Sequence, residues 1–127
     1  MQRPVRTGGP VTRSLAKAEV DVIRLVAGKL PADAGRQLLL DLDSATAESV
    51  IPDGSRVQFT LAAYQRPPYQ GQRSFGVSGR LLDSDGTSLS FDLFADEKGR
   101  LFELELIRWG EGELIRPDWS TLELYGR

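Results

Sequence analysis

Between residues 46 and 109 apolar and polar positions alternate, and before residue 45 they do not. In "RSLAKAEVDVIRLVAGKLP", Leu15, Ala18, Val22, Leu25 and Val26 recur at helical spacing. Ala16, Val20 and Ile23 widen the stripe. The pattern predicts a helix with Ser14 at its N-cap, stopped by Gly28 and Pro31. "PADAGRQLLLDLDS" predicts a second helix capped by Asp33, with Leu38, Leu39 and Leu42 on its apolar side. A strand over residues 37–43 is the competing reading, because short apolar runs fit either period.

The period of two begins with "TAESVIPDGSRVQFTLAAY", read as a hairpin with a type I′ turn at Asp53-Gly54. Val57, Phe59, Leu61 and Ala63 share one face. "FGVSGRLLDSDGTSLSFDLFADEKGRLFELELIRWG" gives three more strands, with Gly86 and Gly99 at left-handed turn positions. Inward positions are Phe91, Leu93, Phe102, Leu104 and Leu106. If the second turn is tight, Leu93 meets Phe102, Phe91 meets Leu104, Asp92 meets Glu103 and Ser90 meets Glu105. If the first is a three-residue loop, Leu81 meets Leu89 and Arg80 meets Ser90. A short strand near residues 122–125 closes a tail that Pro117 interrupts. The expected fold is α+β: two N-terminal helices packed on one face of an antiparallel meander of about five strands. Residues 1–12 read as a flexible leader and 13–127 as a single domain.

Composition narrows the chemistry. The chain has no cysteine and no histidine, which removes thiolate catalysis, the commonest general base and the usual zinc, copper and haem ligands. No metal, cofactor or catalytic site is expected. "DSDG" matches the start of a calcium loop, but no bidentate Glu follows at the twelfth position. An enzyme working through Asp92 and Glu103 alone would need a pocket that a flat sheet does not offer. No apolar run approaches the roughly 20 residues of a membrane span, and no signal-peptide pattern follows the basic N-terminus. The expected location is the cytoplasm, without membrane association.

The net charge of −2 is unevenly spread. Residues 1–40 hold seven Lys/Arg and three Asp/Glu, whereas residues 83–127 hold five and eleven. The acidic third favours a basic protein over nucleic acid. On the outward face Asp92, Glu103 and Glu105 gather, with Trp109 in phase and Glu111 and Glu113 following. These six are the expected partner-binding residues, and Arg80 is expected to hold their geometry. In the competing arrangement the tail folds back over Ile107 and Trp109. Trp119, beside Pro117, reads as a packing anchor.

Arg13, Leu15 and Glu19 open the first helix. Asp53 and Gly54 turn into a strand, and Asp96, Gly99, Leu101, Phe102, Glu103 and Leu104 form a closing hairpin. Over residues 13–110 this resembles a small uncharacterised bacterial family, itself similar to immunity proteins of polymorphic-toxin and contact-dependent inhibition systems. The chain departs from that pattern at Ala16, where Ser or Thr would cap the helix, and in "YQRPPYQGQRSFG". The resemblance implies a non-enzymatic module that occludes the basic active site of a cognate toxin, such as a nuclease. A small-molecule-binding or regulatory domain, with a pocket between helices and sheet near "RPPYQG", is the alternative.

Overall fold

A computed structural model describes residues 12–126, so the leader expected over residues 1–12 lies almost wholly outside the described residues. The helices are α1 (Lys17–Gly28) and α2 (Ala32–Ser44). The strands are β1 (Ala45–Ser49), β2 (Arg56–Leu61), β3 (Arg73–Asp83), β4 (Ser88–Ala95), β5 (Leu101–Arg108) and β6 (Pro117–Tyr125). The fold is α+β with six antiparallel strands, in spatial order β1-β2-β5-β4-β3-β6. β3, β4 and β5 form a meander. The chain enters it by a crossover from β2 to β3 and leaves by another from β5 to β6. Each crossover makes a Greek key with the meander.

The helix over residues 37–43 is real, and the strand alternative is not adopted. Pro31 stands at the N-cap of α2, with its φ preset. Asp33 lies inside the first turn, pairing with Arg36, rather than capping. In α1 the N-cap is Ala16, not Ser14. Ala16 has no side-chain acceptor, so Glu19 supplies the capping contact: its Oε1 accepts the Ala16 N–H at 2.8 Å. Arg13 grips the same carboxylate through two 2.8 Å hydrogen bonds. Val22, Ile23, Val26, Leu38 and Leu42 pack on the sheet, while Leu25 and Leu39 face outward. The buried stripe of each helix is therefore narrower than its periodicity predicts. Gly35 lets the helices close up, since a Cβ there would lie 2.5 Å from the Ala27 carbonyl oxygen.

The inner sheet face carries Ala47, Val57, Phe59, Leu61, Val77, Leu81, Leu89, Phe91, Leu93, Leu104 and Leu106, all buried. Two turn readings and one strand end change. Residues 50–55 form a longer loop with Gly54 at φ +81°, and Asp53 has no positive φ, so the turn is not type I′. Ala63 leaves the strand and is exposed at φ +55°. The Asp96–Gly99 turn is a three-residue loop like that at Asp83–Gly86. Each closes with an Asp N–H to the residue after the Gly and a Gly N–H back to the Asp carbonyl.

The β3–β4 register is as expected, with Leu81 opposite Leu89 and Arg80 opposite Ser90. The β4–β5 register is shifted by two. Leu93 meets Leu104, Phe91 meets Leu106, Asp92 meets Glu105 and Ser90 meets Ile107. One residue of shift comes from the longer turn and one from a bulge at Phe102. Parity survives, so the faces stand. The bulge does move Phe102 out of the inner core, where Leu101 takes its place.

Candidate functional site

The sheet face away from the helices is divided by the two crossovers. At one end residues 62–72 close over it. Tyr64 donates to Asp96 Oδ2 at 2.7 Å and Arg66 to the same oxygen at 2.9 Å. Arg66 also donates to the carbonyls of Phe59 and Leu101, while its guanidinium lies 4.9 Å from the Phe102 ring centre. Tyr69 packs on Phe102 at 6.0 Å, and Gln72 donates to Glu103 at 3.0 Å. The space under the loop is about 30 Å³, room for one water and not for a metabolite.

Glu103 is therefore not on an open acidic face. It is 2% exposed, held by Gln58 and Gln72, with Arg56 Nε 3.3 Å away. Burial pushes its pKa above the ordinary 4.5. The Gln58 hydrogen bond and Arg56 oppose that rise, and the negative charge of Glu105 adds to it. A partner cannot touch this carboxylate, and reversing its charge would unfold the site rather than test a contact.

Asp92 faces Glu105, not Glu103. The like charges are compensated inside the protein: Arg56 pairs with Glu105 at 2.8 Å and Ser78 Oγ donates to Asp92 at 2.6 Å. Arg80 does not hold this geometry. It points across the sheet to Glu123, 3.1 Å away on β6. Of the eleven Asp/Glu in residues 83–127, six pair with an arginine among the described residues: Asp83, Asp85, Asp96, Glu103, Glu105 and Glu123. Three of the four arginines, Arg56, Arg66 and Arg80, come from earlier in the chain, so about half of the excess negative charge of the C-terminal third is offset in space.

The opposite end of the face stays open. Trp109 is 68% exposed and Ile107 45%. The tail does not fold back over them. Trp109 Nε1–H donates to Ser90 Oγ at 2.5 Å, which fixes the indole against β4 with its polar edge satisfied. Glu111 and Glu113 follow in the crossover to β6, both exposed. That crossover is tied from beneath. Asp83 accepts the N–H groups of Ile115 (2.9 Å) and Arg116 (2.7 Å) and the Arg108 guanidinium, while Asp53 accepts the Leu114 N–H. Burial alone would raise the pKa of Asp83. The Ile115, Arg116 and Ser84 N–H groups and Arg108 outweigh it and hold the value below the usual aspartate range. Asp85 and Asp83 share Arg108. Among the described residues no group of carboxylates converges as metal ligands, and no helix is long and apolar enough to cross a membrane.

The structure thus brings Trp109, Glu111 and Glu113 onto one exposed end, with Asp92 and Glu105 further along the face, and removes Glu103 and Arg80 from the set. The sequence reading leaves out Ile107 as an exposed neighbour of Trp109, although their shared parity is visible, and Ser90 as the anchor of the indole. Trp119 packs edge-to-face on Phe91 at 6.1 Å, as a packing anchor should.

No family model, curated protein or solved structure matches this chain. The family resemblance rests on its own residues, and most of those are structural here. Arg13 pairs with Glu19, Asp53 and Asp96 hold loops, and Leu101 and Leu104 are core.

Proposed function

We infer that the chain is a non-enzymatic protein-binding module whose contact surface centres on Trp109 and Ile107. Asp92, Glu105, Glu111 and Glu113 form the rim. The observation that carries this reading is the exposed, hydrogen-bonded indole of Trp109 on the helix-free face. A fixed aromatic loses little entropy on contact, and Trp is enriched among the residues that dominate interface energies. The carboxylates around it favour a cationic partner and speed its approach. A cognate basic protein in the cytoplasm, such as a nuclease toxin neutralised by its immunity protein, fits both features.

The test is capture of a partner by the tagged chain from lysate of its own source, at low and at moderate salt, with mass-spectrometric identification. One stoichiometric basic protein should be retained by the wild type, lost with Trp109→Ala and weakened by joint Glu111→Lys and Glu113→Lys. A partner that binds all these variants as it binds the wild type would overturn the assignment.

A further inference from the structure

The two edges of the sheet are treated differently. At β1, Arg13 exchanges two backbone hydrogen bonds with Ala47, each 2.8 Å, and so covers the middle of the strand. At β6, among the described residues, no segment pairs with the outer edge. An unpaired edge presents a row of N–H and C=O groups whose natural complement is another extended backbone.

β6 also runs between two grooves. On the inner side a groove of about 560 Å³ separates it from α1, lined by Val22, Leu25, Trp119 and Leu122, with Lys17 and Asp21 at its rim. Those two rim charges already pair with each other at 2.6 Å. On the outer side a groove of about 570 Å³ is lined by Arg80, Ser88, Thr121 and Glu123. The outer groove exists because β6 bulges: Arg80 faces Glu123, yet Leu82 faces Asp118. Gly79 brings β6 tight against β3, since a Cβ there would meet Leu124 and the Glu123 carbonyl at 2.9 Å. Leu122 and Leu124 consequently form part of the floor under α1.

We propose that the β6 edge binds an extended segment of a partner protein, apolar and basic at alternate positions. Its backbone extends the sheet. Its apolar side chains enter the groove under α1, and its basic side chains lie outside, beside Glu123 and Asp118. This is strand addition, in which main-chain hydrogen bonds hold the segment and alternate pockets select it. Charge selects the occupant: β6 carries Asp118 and Glu123 and no Lys or Arg, and Glu123 meets Arg80 only in an exposed pair that an incoming lysine can share. A second copy of β6 would bring carboxylates to carboxylates, whereas a lysine-bearing strand is complementary. The outer groove reaches Ser88, whose carbonyl accepts the Trp109 N–H, so the two surfaces adjoin. However, β6 lies three strands from β5, and the groove under α1 contains no residue of the Trp109 surface.

The test uses the full chain labelled with 15N and two short synthetic peptides, one alternating valine with lysine and one alternating valine with glutamate. The valine–lysine peptide should shift the amides of β6 and the neighbouring turns of α1 and slow hydrogen exchange along β6. Leu25→Glu, at a site already 55% exposed, should weaken binding about tenfold or more. Glu123→Lys, which breaks only a surface pair, should reverse the preference towards the valine–glutamate peptide. Trp109→Ala should leave peptide binding unchanged, so loss of partner capture in that variant and loss of peptide binding in Leu25→Glu report on different surfaces. Shifts centred on Ile107 and Trp109, no shift at all, or a dimer in sedimentation that Leu25→Glu dissociates would each overturn the proposal.

Discussion

The two ends of the sheet solve one problem with different chemistry. At each end a crossover passes a three-residue turn that begins with a buried aspartate, Asp96 at one end and Asp83 at the other. At each end an arginine completes the site. Asp96 holds its crossover through side chains, Tyr64 and Arg66, and spends its other oxygen on its own turn, accepting the Lys98 and Arg100 N–H groups. Asp83 holds its crossover by the backbone, at Ile115 and Arg116. Side chains reach over the sheet and seal Phe102 and Glu103 beneath them. Backbone contacts pin the chain at the sheet's end and leave Trp109 and Ile107 uncovered. The closed end stabilises the fold and the open end is available for contact.

The sharpest break of this comparison is Asp83→Ala. It leaves the Ile115 and Arg116 N–H groups without their acceptor, while Arg108 keeps Asp85, and should cost about 3 kcal/mol in urea denaturation. The pH dependence has a definite sign. The folded pKa of Asp83 lies below the ordinary 3.8, so its contribution is full above that value and is lost as pH falls through the depressed folded value. The variant should accordingly lose less stability on acidification than the wild type. Asp96→Ala should cost less, about 2 kcal/mol, because Arg66 keeps the Phe59 and Leu101 carbonyls. Its signature is the Tyr64 phenol, pushed up to about 12 by burial first and then by its hydrogen bond to Asp96. Ultraviolet titration should show that phenol titrating lower in the variant.

These two roles also mark where sequence reading stops. Alternation at Val57-Phe59-Leu61, Phe91-Leu93 and Leu104-Leu106 was enough to assign faces, because a strand's period survives an error of two in register. Gly86 and Gly99 announced their turns through the left-handed φ each adopts. The jobs of the aspartate carboxylates were not legible. Asp83 is met by backbone groups about 30 residues away, which carry no residue-type signal, and Asp96 by Tyr64 and Arg66, equally distant in a segment with no periodicity. Charge counted along the chain failed for a related reason: Arg56 and Glu105 are 49 residues apart in sequence and 2.8 Å apart in space. The burial of Glu103 depends on a crossover that reads as irregular "QRPPYQGQ". Trp109 lies on the outward face, where parity alone puts it.

Glu103→Gln sharpens the contrast from the closed end, with the opposite sign. The folded pKa of Glu103 is raised, so the carboxyl favours the fold in full below the ordinary 4.5, and that contribution is lost as pH rises through the folded value. At neutral pH the ionised group carries its burial cost. Glutamine keeps hydrogen-bonding capacity towards Gln58 and Gln72 without the charge. Arg56 retains Glu105. Chemical denaturation should show a gain of up to about 1 kcal/mol at neutral pH, vanishing in acid.

The smallest effect on stability belongs to the open end. Trp109 contributes an exposed ring and one hydrogen bond to Ser90, so Trp109→Ala should change folding stability by no more than about 0.5 kcal/mol. Trp119, packed on Phe91 in the core cluster, remains as an internal fluorescence reporter that the fold is intact. The contrast between the ends then becomes a contrast between observables. A residue that costs nothing to remove from the folded chain and costs the partner contact in capture is held at that surface by binding. If Trp109→Ala instead destabilised the chain as much as Asp96→Ala, the indole would be a structural cover for β4 and β5. The open end would then be a second closed one.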